Sequence, residues 1–313
     1  MTANQSPRWL RYLAIITVIG TYTMLIMGAI VSKTESGRGC GSSWPFCHGQ
    51  LIPETLPLET VIEYSHRIVS GGVGFLILLL TIFSWMLYKQ NQKVKLLAGM
   101  SLFFVVLQGG LGALTVVFRG GLEQKAALAL HFGFSLISFA SVVLLTIYLF
   151  QLAKNKAFDR DLVHIPSGLK VATWGLTFYT YLVVYTGALV RHAEATMGCG
   201  YSFPACGVTY FPNLSSIAGI QMLHRYAAIS LWLVTLWFLL VVIRKYMHRS
   251  DLVKGSIWAF VLITLQAISG IITIQLDGQV MAALVHTTII SIYFCILSYL
   301  CMQVGLPWRR SSK

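Results

Sequence analysis

Charge is what this sequence has least of. Asp, Glu, Lys and Arg together make up 11% of its 313 residues, and only 10 are acidic. A soluble domain carries about 25% charged residues, so a chain that faces water on all sides is excluded. Hydrophobic residues reach 56% and apolar runs recur along the whole length; runs of about 20 such residues make lipid the solvent. The shortage is one-sided, because 23 Lys and Arg leave a net charge of +13. That excess does not mark a nucleic-acid binder: the basic residues cluster in short stretches between apolar runs, as topology determinants do. A cleavable leader is not expected either. Arg8 and Arg11 precede an apolar run over 12–31 that is too long for a signal-peptide core and lacks a small-residue cleavage site, so it reads as a retained span. No Arg-rich, Ser-rich transit segment precedes it, which points to a bacterial plasma membrane.

What is present reads as an all-α membrane protein. An open strand edge has no partner in lipid, so the spans are helical; eight are expected, over 10–31, 62–88, 95–118, 126–150, 169–190, 219–243, 253–276 and 280–303. Arg8, Arg11, Lys89, Lys93, Lys95, Lys154, Lys156, Arg160, Lys170, Arg244, Lys245, Arg249, Lys254, Arg309, Arg310 and Lys313 fall on one side, sixteen of the 23 basic residues. The positive-inside rule places that side, and both termini, in the cytoplasm. The long loops 32–61 and 191–218 then lie outside. They hold Cys40 and Cys47, and Cys199 and Cys206. An oxidising outer face favours a short disulfide in each loop; a zinc site is the rival, weakened by six intervening residues and the lack of a CxxC partner. Cys295 and Cys301 fall in the last span and read as small apolar residues.

The chain repeats itself. Gly28-Ala29-Ile30-Val31 followed by Cys40 and Cys47 corresponds to Gly187-Ala188-Leu189-Val190 followed by Cys199 and Cys206, with Cys40 and Cys199 standing 159 positions apart. Leu107-Gln108 with Gly112 corresponds to Leu265-Gln266 with Gly270, and His66 to His224, both 158 apart; His131 and His286 stand 155 apart. Two four-helix halves are expected, 1–158 and 159–313. Each starts on the inner side, which makes the repeat parallel.

Four histidines anchor the functional reading. His66 and His131 in one half, and His224 and His286 in the other, lie 20 to 23 residues from the basic inner end of their spans. At about 1.5 Å per residue this is roughly 30–35 Å, near the outer edge of the hydrocarbon. Facing imidazoles in an apolar bundle suit six-coordinate haem iron. Ser70, Gly74 and Ala228 leave room below the ligands, and Arg67 and Arg225 are expected to meet porphyrin propionates. The bland reading is that such histidines bond between helices and the small residues ease packing. His48, His192, His164 and His248 read as solvated. Glu63, three residues before His66, has the neutral Gln221 as its counterpart. A carboxylate there can take protons, position water or stabilise positive charge; alternatively it forms an i,i+4 ion pair with Arg67.

With ExxHR at 63–67, QxxHR at 221–225, His131, His286 and two CxxxxxxC loops in hand, the whole chain resembles the haem A synthase family, in its bacterial form. The resemblance implies oxidation of a ring methyl of haem O to a formyl group by successive hydroxylations, yielding haem A. It implies that His66 and His131 hold the substrate haem, that His224 and His286 bind the iron of a haem b cofactor, and that Glu63 is the essential acid. It also implies an electron-transfer role for the Cys40–Cys47 pair and a structural one for Cys199–Cys206. Haem O and membrane lipid are then the binding partners. The enzyme that farnesylates haem b is a further partner by pathway logic, and no residue names the electron acceptor. The competing readings are a non-catalytic dihaem b electron carrier, a haem-linked membrane thiol oxidoreductase and a haem transporter.

Overall fold

A computed structural model describes residues 6–118, 121–154 and 165–308. Lys156, Arg160, Arg309, Arg310 and Lys313, used above for orientation, and His164 lie outside the described residues. Eight helices carry the rest: α1 (Arg8–Lys33), α2 (Leu58–Leu87), α3 (Gln92–Val117), α4 (Gly121–Ala153), α5 (Ser167–His192), α6 (Ile217–Lys245), α7 (Ser250–Gln275) and α8 (Val280–Val304). Each of the eight expected spans falls on one of these helices, overrunning it by at most one residue, and its ends differ from the helix ends by up to five residues.

The boundaries follow local chemistry. Pro7, Pro57 and Pro166 stand immediately before α1, α2 and α5, where a missing N–H costs nothing and the fixed φ suits entry into a helix. Asn91 caps α3 by accepting from the Val94 N–H at 3.1 Å, and Ser216 caps α6 by accepting from the Gly219 N–H at 3.0 Å; these are standard N-cap bonds. Gly305 follows α8 at φ 78°.

Seven of the helices are long and apolar enough to cross a membrane. The exception is α5, whose middle carries Thr177, Tyr179, Thr180, Tyr181, Tyr185 and Thr186. These polar atoms are satisfied inside the fold. Thr177 and Thr180 return their hydroxyls to the carbonyls of Thr173 and Leu176, Tyr179 bonds Ser230, and Tyr181 bonds Tyr185. A hydroxyl bonded in this way no longer needs water.

The chain divides into two compact units, Met1–Leu162 and Val163–Lys313. In the first, α1 and α3 each pack against both α2 and α4; in the second, α5 and α7 each pack against both α6 and α8. Leu10, Ile77, Leu80, Leu136, Leu145 and Leu149 fill the first core, and Leu231, Phe238, Leu252, Tyr293 and Leu297 the second. Phe75, Phe103, Val106, Trp237 and Trp258 are exposed. Lipid is as apolar as these side chains, so exposing them there is not penalised as it is in water.

The loops after α1 and α5 take similar paths. Each contains a disulfide, Cys40–Cys47 and Cys199–Cys206. In each, an isolated antiparallel bridge joins the second cysteine to the residue three beyond, Gln50 or Thr209. The first cysteine is followed by a glycine with positive φ, Gly41 at 67° and Gly200 at 55°. Just before each first cysteine the loop crosses the opening turn of the next helix with no room to spare. A Cβ on Gly39 would stand 2.3 Å from the Glu59 carbonyl oxygen, and one on Gly198 2.6 Å from that of Ile217. Gly39→Ala is therefore expected to lower stability by about 1–3 kcal/mol, the usual cost of overpacking, measured by thermal unfolding in detergent. Gly175→Ala, whose Cβ meets nothing within 4 Å, should be neutral or slightly stabilising in the same assay.

Candidate haem sites beneath the disulfide loops

Each of the four histidines rests on a glycine of the preceding helix. A Cβ on Gly28 of α1 would stand 3.3 Å from Cε1 of His66, and one on Gly112 of α3 3.5 Å from Cε1 of His131. In the second unit the distances are 3.1 Å from Gly187 of α5 to His224, and 3.2 Å from Gly270 of α7 to His286. The side-chain-free surface of one helix thus seats the imidazole of the next.

The hydrogen bonds place the proton on Nδ1 of His131 and allow the same placement at His224 and His286. His131 Nδ1 lies 3.1 Å from the Gln108 carbonyl, which only accepts, so Nδ1 is the donor. Thr186 gives its own proton to the Val183 carbonyl and therefore accepts from His224 Nδ1 at 2.8 Å. Ser269 gives its proton to the Gln266 carbonyl and accepts from His286 Nδ1 at 2.8 Å. All three rings keep the Nε2 lone pair for a metal, the arrangement typical of metal-binding histidines. At His286 Nε2 stands 2.9 Å from the Gln266 amide nitrogen, so a metal held there would displace the amide. His66 differs. Its Nδ1 is buried and has no hydrogen-bond partner among the described residues.

The position three before each α2 or α6 histidine holds the disulfide loop. Glu63 is buried, and its Oε2 accepts from the Cys40 N–H at 2.8 Å. Gln221 is equally buried; its Oε1 accepts from the Cys199 N–H at 2.6 Å, and its Nε2 donates to the Thr196 carbonyl at 2.7 Å. The loop anchor therefore needs an acceptor and does not need a charge. The charge serves Arg67, whose Nη2 pairs with Glu63 Oε1 in the i,i+4 contact that the spacing allows. Arg67 Nη1 donates to the Ser43 and Phe46 carbonyls. Arg225 donates Nη1 to the carbonyls of Ser202, Pro204 and Ala205. With a glutamine instead of a glutamate four residues before it, it keeps Nε and Nη2 buried without hydrogen-bond partners among the described residues, its guanidinium lying over the Phe203 ring at 5.6 Å. A buried guanidinium lacking an anion is costly, and its two free donors match a carboxylate in bidentate fashion.

The remaining residues singled out from the sequence fall as follows. Ser70 donates to the His66 carbonyl at 2.7 Å, and a Cβ on Gly74 would meet nothing within 4 Å, so there is open space one turn further along α2. His48, read as solvated, is exposed, and its Nε2 also bonds the Gly39 carbonyl at 2.9 Å, which clips the first loop. All four loop cysteines have their sulfurs in disulfides, which removes them as zinc ligands. Cys295 and Cys301 are buried free thiols on α8. Sequence reasoning missed Thr186 and Ser269 altogether. It met Gln108, Gly28 and their counterparts only as marks of the repeat, which was the available signal that they matter.

Removing the acceptor should cost more than removing the charge. Glu63→Leu strands the Cys40 N–H and the Arg67 guanidinium, and is expected to destabilise by about 3–5 kcal/mol. Glu63→Gln, which copies Gln221, should lose clearly less. Thermal unfolding of both variants in detergent checks the order.

The three histidines with Nε2 lone pairs and the unpaired arginine donors fit a haem and its propionate. Comparison with known proteins agrees with that fit. The family model COX15-CtaA, cytochrome oxidase assembly protein, matches residues 11–298. Proteins named "Heme A synthase" from Bacillus mycoides (strain KBAB4), Bacillus cereus (strain 03BB102) and Bacillus anthracis (strain A0248) are each 42% identical over 295 residues, covering 94% of this chain and 93% of theirs. With a family model matched almost end to end and relatives 42% identical over 94% of its length, the chain belongs to the COX15-CtaA family of cytochrome oxidase assembly proteins.

Proposed function

We propose that the chain is a haem A synthase: an oxidoreductase of the membrane that converts a ring methyl of haem O to the formyl group of haem A, for use by terminal oxidases. The observation that carries this is the 42% identity to proteins of that name across 94% of the chain. The reaction is a four-electron oxidation of the methyl carbon, through a hydroxymethyl group and a geminal diol that loses water.

Within it the first unit takes the substrate. His66 and His131 bind the haem O iron, and the open space past Gly74 accommodates the macrocycle. Glu63 lies just under one turn from His66 and joins three parts at once: the histidine helix, Arg67 and the backbone of Cys40. From there it accepts protons or positions the water used at the methyl. The Cys40–Cys47 disulfide takes two electrons and two protons on opening to the dithiol. Its attachment to Glu63 through the Cys40 N–H puts that change next to the substrate. In the second unit His224 and His286 hold haem b, with Arg225 on a propionate. That cofactor supplies one-electron transfer when bound. The loop anchored by neutral Gln221 is a staple. Both units begin on the cytoplasmic side as parallel copies of one four-helix plan, in a bacterial plasma membrane with the cysteine loops outside. The enzyme that makes haem O is the natural neighbour in the membrane.

Two experiments test the assignment. Extraction of porphyrins after co-expression with a haem O source should give formyl-bearing haem from wild type and none from Glu63→Gln, with haem still bound in both. A dihaem carrier would bind haem and give no formyl product in either. Cys40→Ser should lower turnover by more than Cys199→Ser at matched protein levels; equal losses that track thermal stability would reduce both loops to staples.

A further inference from the structure

The four histidines are not held equally, and the difference has a cause in the sequence. His131, His224 and His286 each place Nδ1–H on an acceptor: the Gln108 carbonyl, Thr186 Oγ1 and Ser269 Oγ. His66 Nδ1 is buried with none. In the repeat, Thr186 stands one residue before the seating glycine Gly187; one before Gly28 stands Met27, which has no hydroxyl. Likewise Ser269, before Gly270, is replaced by Leu111 before Gly112. The second unit thus fixes both rings with side-chain hydroxyls. The first has lost both hydroxyls and recovers only one bond, through the Gln108 backbone.

We propose that His66 is the releasing ligand of the first unit, so that haem enters and leaves there by making and breaking the His66 bond while His131 stays attached. This deepens the functional reading above and rests on it. A hydrogen bond to Nδ1–H orients the ring and makes Nε2 a stronger donor; losing such a partner typically costs 10–100-fold in metal affinity or activity. His66 also carries the cost of a buried polar atom without a partner, which turning out of its seat relieves. The geometry matches the task. A site that receives haem O and gives up haem A needs one bond that opens, whereas a resident cofactor needs two that do not. The arginines point the same way: Arg225 keeps two buried donors for an anion, while Arg67 has its Nη2 on Glu63 and its Nη1 on loop carbonyls.

The test uses full-length protein in detergent, loaded with ferric haem b, and reads haem loss to excess apomyoglobin. His224→Ala isolates the first-unit site; His66→Ala with His131→Ala isolates the second. The first-unit haem is expected to leave at least about tenfold faster and, once reduced, to bind carbon monoxide readily. Thr186→Val, isosteric and lacking only the hydroxyl, should speed loss from the second unit about tenfold. Met27→Thr should slow loss from the first. In the His224→Ala background, adding His66→Ala should leave a five-coordinate, high-spin haem on His131, whereas adding His131→Ala should abolish binding. Equal rates at the two sites, an unchanged rate in Thr186→Val, or haem retained by His131→Ala and lost by His66→Ala would each overturn the inference while leaving the function intact. A protein that takes up haem at neither pair would remove the functional reading and the inference together.

Discussion

The N–H of Cys40 ends on a carboxylate oxygen of Glu63, and the N–H of Cys199 ends on the amide oxygen of Gln221. These two bonds tie a disulfide-closed loop to the turn of helix that carries a histidine, in each unit separately. At a membrane boundary a buried backbone donor has little water to fall back on, so the acceptor is mandatory. Because the histidine lies one turn away on the same helix, whatever fixes the loop also fixes the entrance to the histidine site. Arg67 and Arg225 add further bonds to loop carbonyls. The loops are therefore parts of the sites and not covers laid over them.

Glutamate against glutamine then does more than place a candidate base. Both side chains accept from the cysteine N–H, so the architecture tolerates either. The difference falls on the neighbouring arginine. With Glu63 present, Arg67 has its counter-ion and both Nη groups are engaged; with Gln221, Arg225 remains a buried cation with two free donors. In a low-dielectric setting such a cation strongly favours a bound anion. One change of side chain thus neutralises the first unit internally and leaves the second seeking a carboxylate, as a porphyrin propionate supplies.

The glycine seats show a related economy. An imidazole packed on a bare helix backbone is confined on one side without a side chain that moves. Its remaining freedom is rotation, which a bond at Nδ1 removes. Three of the rings have that bond and His66 does not, so the least constrained of the four sits beside the one buried acid in these sites. Orientation and chemistry are separable here: Gly28 positions the His66 ring, and the lack of a hydroxyl at Met27 leaves it free to turn.

The sequence alone determined the eight helices, their ends to within a few residues, the two matched sets of histidines and cysteines, and the i,i+4 spacing that allows Glu63 to reach Arg67. Each of these rests on local pattern: apolar length, basic residues at span ends, and spacing of three, four or seven along one stretch. Only the tertiary structure decided that His131, His224 and His286 have partners and His66 has none, that four glycines underlie four rings, that His48 clips a loop, and that Glu63 and Gln221 share one task. Those contacts join residues 9 to 38 positions apart, on separate helices or across a loop. They depend on which turn of one helix faces which turn of the next. Periodicity says that a face is buried but not what stands opposite it, because that register is set by side-chain packing between helices and leaves no mark within either one.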